Sequence, residues 1–448
     1  MKKKLVIGVL LSATGALALV AAGCGGGGGK KGGGGTTGGG GNVTALPSSA
    51  CGSLSGPSDA DFIVASDLPL QGAGRAQTAE MVKAIRFALN ERKFKAGKYK
   101  VAYQSCDDST AQTGAWDSAK CASNARSYAD DKDVIGVVGT FNSGCAKIVI
   151  PVLNRAQPGP LAIVSPANTA IGITHGGAGA EPGEPDKYYP TGKRNYARVV
   201  AADDFQGAAD ALYAQSLGLK KVYVLNDKQT YGFGVAFALR KSLQKLGIGV
   251  PGFQGWDKNA SSYEALVGKI NQSGADAVFL GGIICNNGAK LIKDLTAGFK
   301  GTILMPDGFS DPKSNGPAAD GSWISVAGAP PEKLKGKAVT KSRVRETAIG
   351  FLNAFGSQIG TRPNPYSAYA AQAILVLLDA IAKSDGTRAS VTANLLKTKV
   401  TNGILGTFSI DKNGDTSLNP VTIYQQVPVD QLKPVKTIVP PLSLVKAG

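Results

Sequence analysis

The chain has 448 residues, of which 43% are hydrophobic, 18% charged and 7% aromatic. At ~150 residues per domain this is enough for about three domains, and the composition excludes a disordered or fibrous protein. The formal net charge is +17, but no basic run is interleaved with aromatic residues, so we expect no nucleic-acid partner. His175 is the only histidine, which argues against histidine-based triads and metal sites; we expect no enzyme, metal or cofactor.

The N-terminus has the three parts of an export signal. Basic residues 1–4 precede an apolar stretch, residues 5–20, and small residues stand before Cys24. The arrangement resembles a bacterial lipoprotein signal, with Ala21 where leucine is usual. It implies removal of residues 1–23 and lipidation of Cys24. An uncleaved membrane helix and plain secretion are the alternatives, since residues 5–23 approach the ~20 apolar residues of a span.

Residues 24–58 are predicted to form a flexible tether, because glycine-rich chains behave as random coils. No strand precedes the glycines and no Gly-Lys-Ser/Thr closes them, so a phosphate loop is not indicated. The tether would hold the following domains at the cell membrane, on its extracytoplasmic face.

From residue 59 onward, short apolar runs alternate with helical patterns. Two such series, separated by a glycine- and proline-rich loop at residues 172–195, predict two α/β domains with mainly parallel sheets. Asp203 and Gln206 form a capping-box pattern at the first helix of the second series. The predicted strands cover residues 62–65, 99–104, 134–138 and 161–164 in the first series, and 197–200, 222–225, 250–253, 277–280 and 302–305 in the second.

The C-terminal part is predicted to contain two helices and two strands. The helices cover residues 338–357 and 366–384, and the second is apolar nearly all round, so we expect it to be buried. The strands, residues 403–410 and 420–425, flank a turn at residues 411–415. That turn lacks the downstream acidic ligand of a calcium loop, which favours a hairpin.

In open α/β sheets, ligands bind beyond the carboxyl ends of the strands, where helix N-termini present free N–H groups. The residues at these ends are rich in hydroxyls, amides and small side chains and poor in bases. This composition favours binding of a small zwitterion over proton transfer.

Three segments in order, residues 134–144, 163–169 and 225–232, resemble the branched-chain amino-acid binding proteins of ABC importers. The resemblance covers roughly residues 60–430. It implies the two-lobed type I periplasmic-binding-protein fold, with three crossovers and lobes that close on a ligand. The N-terminal lobe would comprise residues 59–197 and 338–400, and the C-terminal lobe residues 198–337 and 401–440.

The resemblance also implies a ligand site. Ser143 and Thr169 would hold a ligand carboxylate, helped by N–H groups near Ala167, and Asp307 would pair with its ammonium. The alternatives are a helix cap for Ser143 and a plain turn residue for Asp307. Aliphatic residues at 283 and 284 stand where the family has an aromatic pair, which leaves the exact ligand open. The full predicted set is Ser143, Ala167, Asn168, Thr169, Tyr231, Ile283, Asp307 and Tyr366.

Five cysteines remain if Cys24 is lipidated. The family has a first-lobe disulfide of similar span, which favours Cys121 with Cys145; a pairing of Cys51 with Cys106 stays open, and Cys285 is left over. His175 is interpreted as a loop residue without an evident titratable partner. Together these features predict a solute-binding lipoprotein that delivers an amino acid or related small carboxylate to an ABC permease. The alternatives are a ligand-sensing module of the same fold and an enzyme.

Overall fold

The computed structural model describes residues 43–330, 333–334 and 341–446; residues 1–42, and with them Cys24, lie outside it. The strands are β1 (Phe62–Leu68), β2 (Lys95–Ala96), β3 (Tyr99–Asp107), β4 (Ser109–Thr110), β5 (Ala115–Trp116), β6 (Val134–Gly139), β7 (Ala162–Ser165), β8 (Tyr196–Arg198), β9 (Val222–Asn226), β10 (Phe253–Gly255), β11 (Ala277–Gly281), β12 (Thr302–Met305), β13 (Trp323–Ala327), β14 (Lys399–Gly403), β15 (Gly406–Ser409), β16 (Val421–Val427) and β17 (Gln431–Ile438). The helices are α1 (Arg75–Glu91), α2 (Ser118–Asp130), α3 (Ser143–Asn154), α4 (Asp203–Ser216), α5 (Thr230–Lys245), α6 (Glu264–Gln272), α7 (Gly288–Gly298), α8 (Pro312–Asn315), α9 (Ala348–Ile359), α10 (Pro365–Ala382), α11 (Arg388–Leu395) and α12 (Leu442–Val445).

The first lobe is built on a six-stranded sheet in the order β2-β3-β1-β6-β7-β8. Its strands run parallel except β2, which is antiparallel to β3. Helices α1 and α10 cover one face, and α2 and α3 cover the other. Strand β6 is buried along its whole length because a parallel sheet between two helical layers has no solvated face.

The second lobe is built on a seven-stranded sheet in the order β10-β9-β11-β12-β13-β16-β17. Strands β9 to β13 are parallel, and the last two strands are antiparallel. Helices α4 and α5 pack on one face, and α6 and α7 on the other. The chain passes between the lobes three times, after β8, β13 and β15, so the predicted two-lobed α/β fold is confirmed.

Helix α10 is long and apolar enough to cross a membrane by length and composition, but 83% of its apolar window is buried inside the protein. It packs between α1 and β6. Gly136 of β6 allows this close approach, since a Cβ there would lie 2.6 Å from Leu377 Cδ1. The prediction that this helix is buried is confirmed.

Two predicted elements are wrong in their bounds or partners. The strand predicted to open the second series is β8, but it belongs to the first sheet, where it pairs with β7. Its hydrogen-bonded neighbour decides to which sheet it belongs, and its position after the loop does not. The helix predicted from residue 338 begins only at Ala348, where the Thr347 side chain accepts a hydrogen bond from Gly350 N at 3.3 Å and caps it.

The hairpin predicted around residues 411–415 also differs from the structure. Strand β15 pairs with β14, whereas β16 pairs with β13 and β17; a single bridge between Ile410 and Thr416 closes the turn. Leu405 and Phe408 pack in the core of the first lobe, unlike the expectation that residues 401–410 belong to the second. Apolar side chains therefore decide where this hairpin docks.

Candidate functional site

A small cavity of about 20 Å³ lies between the two lobes. This is room for about one water molecule, so the lobes must move apart before a solute can enter. Asn168 and Thr169 lie beside the cavity and are fully buried. The lining residues, which include six of the eight predicted ligand contacts, are Phe141, Asn142, Ser143, Ala167, Tyr231, Ile283, Asp307, Gly308 and Tyr366.

The N-terminus of α3 forms one wall of this cavity. The N-cap of the helix is Asn142, and Ser143 is its first residue, so the alternative that Ser143 serves as the cap is wrong. The Ser143 hydroxyl is buried and accepts a long hydrogen bond, 3.4 Å, from the N–H of Ala170. The positive end of the helix dipole at this wall suits a carboxylate.

The adjacent loop after β7 is held by Ser165. Its Oγ accepts hydrogen bonds from the N–H groups of Ala167 and Asn168, at 3.1 and 2.8 Å, so the N–H groups predicted to face a ligand are engaged within the protein. The Asn168 side chain donates to the carbonyl of Phe141 at 3.0 Å. The buried Thr169 hydroxyl has no hydrogen bond within 3.5 Å among the described residues, but it lies close enough to the Asp203 carboxyl to lower the pKa of that group against the effect of burial.

Asp307 lies at the opposite wall, after β12. Its carbonyl accepts a turn hydrogen bond from Ser310, but its side chain is buried in the cavity. The carboxylate accepts hydrogen bonds from the hydroxyls of Tyr231 and Tyr366 and, at 3.0 Å, from Gln206 Nε2. Burial raises the pKa of Asp307, while these donors act in the opposite direction.

Gln206 was not predicted as a site residue. The N-cap of α4 is Ala202 without a side-chain cap, so the capping-box interpretation is wrong. Asp203, Gln206 and Asp210 follow the i, i+3, i+7 spacing and lie on one face of α4. That face is directed at Asp307 and at Ser325, which donates to Asp210 at 3.0 Å. The spacing of these three polar residues on one helix face is the sequence signal that could have identified Gln206 as a site residue.

Two acidic side chains of α4, Asp203 and Asp210, are buried and form no salt bridge with any residue the structure describes. Neither carboxylate oxygen of Asp203 has a hydrogen-bond partner among residues the structure describes. Burial raises the pKa of both Asp203 and Asp210 well above the ordinary value, and the charge of Asp307 adds to the effect. A raised pKa favours the neutral, protonated form of these two side chains.

Ile283 belongs to a loop that is organised by Asp227. The Asp227 carboxylate accepts hydrogen bonds from the N–H of Ile283 at 3.2 Å and from the side-chain amide of Asn286 at 2.7 Å. Burial raises the pKa of Asp227 to about 6. Asp227 therefore shapes the cavity wall rather than lining it.

Two disulfides stabilise the first lobe. Cys121 of α2 is bonded to Cys145 of α3, as predicted, and Cys51 is bonded to Cys106, the pairing that the sequence left open. The prediction that residues 24–58 form a flexible tether is therefore wrong for residues 43–58, because this disulfide and a hydrogen bond from Leu46 N to Gln104 fix that segment to β3. Cys285 is a free thiol.

His175 contradicts its interpretation as a residue without titratable partners. Its Nε2 lies 3.2 Å from Asp204 and its Nδ1 lies 3.0 Å from Asp415. These carboxylates are 29 and 240 residues away in the chain, so no local pattern reveals them.

Two α/β lobes joined by three crossovers, with a polar cavity closed between them, define a solute-binding protein. The chain matches the periplasmic binding protein family over residues 64–429 and belongs to that family. Membership implies an extracytoplasmic location, which agrees with the two disulfides.

Among characterised relatives, an "Amino acid binding protein" of Pseudomonas aeruginosa PAO1 is 26% identical over 399 residues, covering 86% of this chain and 95% of that protein. "Leu/Ile/Val-binding protein homolog 2" of Brucella abortus strain 2308 is 25% identical over 380 residues, covering 83% and 92%. Among solved structures, a leucine binding protein of Thermotoga maritima superposes with a TM-score of 0.72 at 23% identity, and the match covers 85% of this chain and 99% of that protein. A Rhodopseudomonas palustris solute binding protein in complex with benzoate has a TM-score of 0.66 at 16% identity, covering 85% and 96%.

Proposed function

We propose that this protein is the solute-binding lipoprotein of an ABC importer. It captures an amino acid or a related small carboxylate by lobe closure and delivers it to a permease. The observation that carries this proposal is the environment of Asp307. Its buried carboxylate accepts hydrogen bonds from the hydroxyl groups of Tyr231 in the second lobe and Tyr366 in the first. Closing the lobes therefore completes the set of hydrogen bonds to Asp307.

A ligand ammonium can replace these donors at Asp307. An ammonium group offers three N–H donors to the same carboxylate oxygens, and it carries a charge opposite to that of the ionised Asp307 carboxylate. In the structure, the hydroxyls of Tyr231 and Tyr366 satisfy the carboxylate. Tyr231, Tyr366 and Asp307 are therefore proposed as ligand contacts at the ammonium pole.

The opposite pole suits a carboxylate. Ser143 at the α3 N-terminus and the buried hydroxyl of Thr169 are proposed to bind it, with Ala167 and Asn168 shaping the loop between them. The names of the related proteins support this chemistry, since leucine, isoleucine and benzoate all carry a carboxylate. Ile283 is proposed to contact the ligand side chain, and its aliphatic surface favours an apolar one.

The transport role rests on family membership together with the lipoprotein-like signal at Cys24. Lipidation would anchor the protein to the extracytoplasmic face of the cell membrane, and residues 24–42, the part of the predicted tether that lies outside the described residues, would give it reach toward a permease. Such a protein binds and releases its solute unchanged, so we propose no catalysis.

A thermal-shift screen of the purified mature protein tests this function. We expect aliphatic L-amino acids to raise the melting temperature, because a ligand at 100 times its dissociation constant stabilises by about 2.7 kcal/mol. Benzoate, which lacks the amine, serves as the matched probe for the carboxylate pole. If neither amino acids nor aromatic acids shift the melting temperature, the proposed function is wrong.

A further inference from the structure

Arg198, the last residue of β8, is completely buried behind the carboxylate pole of the cavity. Its Nη1 donates to the carbonyl oxygens of Asn168 and Ala170, at 3.2 and 2.9 Å. The guanidinium group therefore binds the backbone carbonyl groups on both sides of Thr169. Since these carbonyls belong to the ligand loop, the orientation of Arg198 sets the orientation of that loop.

Arg198 is itself held by Asp415, from the crossover that follows β15. Arg198 Nε lies 2.6 Å from Asp415 Oδ1, and the second carboxylate oxygen lies 3.0 Å from His175 Nδ1. The other ring nitrogen of His175 lies 3.2 Å from Asp204, in the first turn of α4. A continuous chain of charged contacts thus runs from the ligand loop of the first lobe to a helix of the second.

His175 Nδ1 also lies 3.0 Å from the Thr174 hydroxyl, but donation to both carboxylates at once requires the charged form of the ring. Both ring nitrogens of an imidazolium are donors, whereas a neutral imidazole can donate to only one carboxylate. Burial by itself would lower the pKa of His175, but the hydrogen bonds with Asp204 and Asp415 outweigh it and raise the pKa to about 9. The positive charge of Arg198 acts in the opposite direction and lowers the pKa of His175. Two further charged residues, Asp411 and Lys446, line the same cavity of about 490 Å³ as His175.

We propose that Arg198, Asp415 and His175 form a positioning network for the solute site, which fixes residues 167–170 and, while His175 is protonated, ties them to α4. This inference rests on the proposed function. Loss of the proton breaks one contact of the chain and loosens the ligand loop. Solute affinity then falls at alkaline pH.

Calorimetric titration with L-leucine between pH 6 and 10.5 tests the pH dependence. The measured quantity is the ratio of dissociation constants of His175→Gln and the wild type, in which ionisation of leucine itself cancels. We expect a ratio of about ten at pH 7, which declines toward one above pH 9. Lys446→Gln, a charge change in the same cavity outside the network, should keep a ratio near one. A His175→Gln ratio of one at pH 7, or one that does not change with pH, overturns the inference.

Hydrogen exchange in the ligand-free protein separates this inference from the proposed function. At pH 7 the amides of residues 167–171 should exchange at least fivefold faster in His175→Gln than in the wild type, but not in Lys446→Gln. If leucine does not bind and exchange still differs, the proposed ligand is wrong and the network stands. Equal exchange overturns the network whatever leucine does. Asp204→Ala, which removes only the acceptor in α4, gives the same readout should His175→Gln not fold.

Discussion

The carboxylate of Asp307 is the acceptor at which several elements of the candidate site meet. Its carboxylate is buried, and every donor that reaches it comes from another element: Gln206 from α4, Tyr231 from α5 and Tyr366 from α10. An acid in this setting needs either such donors or a cation, because an unpaired buried charge is costly. We therefore propose that a ligand ammonium replaces the tyrosine hydroxyls at this carboxylate.

Asp307→Asn should weaken binding of an amino-acid ligand at least tenfold. Removing the counter-charge of a buried ammonium costs about 1.5–3 kcal/mol, whereas the amide can still accept hydrogen bonds from the tyrosines. The melting temperature of the empty protein should change little. Calorimetry with L-leucine measures the effect, and 4-methylpentanoate, which lacks the amine, is the matched control. Unchanged leucine affinity would mean that Asp307 is not the ammonium partner.

A second buried acid, Asp67, makes the stability of the protein depend on pH. Burial of Asp67 raises its pKa to about 7, although hydrogen bonds from Asn124 and Tyr128 oppose the rise. Because the folded-state pKa lies above the ordinary value, the free energy of unfolding should fall as pH rises from about 4 to 7 and stay low above that.

Asp67→Asn should therefore stabilise the protein at pH 8 by about 2 kcal/mol and have little effect at pH 4. Asparagine keeps the acceptor for Asn124 and Tyr128 but carries no charge. Urea unfolding at both pH values measures the difference. Asp186→Asn, at a side chain that is 95% exposed, is the control and should be neutral. Equal stabilisation at both pH values would assign the effect to packing rather than charge.

At the scale of elements, the first lobe depends on links between segments that are separated in the chain. The disulfide between Cys121 and Cys145 joins α2 to α3 across 24 residues, and the one between Cys51 and Cys106 joins the segment before β1 to β3 across 55. In the chain-entropy model the longer loop contributes more stability. Both bonds lie on the same face of the sheet, in one apolar cluster.

Replacing Cys121 and Cys145 together by alanine should lower the free energy of unfolding by about 3 kcal/mol, and replacing Cys51 and Cys106 by about 4 kcal/mol. Denaturant unfolding of the two double variants measures the order directly, and each variant serves as the reference for the other. Solute binding should survive in both, because neither bond lines the cavity. The reverse order would show that local packing outweighs loop length here.

At the scale of the whole molecule, two lobes meet over a cavity that has no room for a solute. The described protein is therefore a closed state, and binding requires separation of the lobes and closure around the ligand. Contacts such as Gln77 Nε2 to Ser310 Oγ at 2.9 Å, which join the first lobe to the second, must break in the process. Affinity thus includes the cost of opening.

The location of the whole molecule depends on Cys24. Cys24→Ala should release the protein from membranes or leave an unprocessed precursor, because a single cysteine would carry the acyl chains that hold it. Fractionation of cells, with mass spectrometry of the N-terminal peptide, measures this; Cys285→Ala is the matched control and should stay membrane-bound. If wild type and Cys24→Ala fractionate alike and both lack lipid, the lipoprotein assignment is wrong.

Local patterns were sufficient for much of this protein. Alternating apolar runs and helical stripes predict the βα order, and strand ends such as those before Ser143 and Asp307 locate the cavity, because parallel strands place their carboxyl ends at one edge. The burial of α10 follows from its all-round apolar surface. These features depend on neighbours within a few residues, which a sequence shows directly.

Other features exist only in the folded chain. Gln206 was interpreted as part of a helix cap and instead donates to Asp307, 101 residues away. His175 was interpreted as a lone loop residue and instead joins two acids. Strand β15 found β14 rather than β16 as its partner. Each depends on contacts between distant segments, which side-chain packing decides and which no local periodicity records.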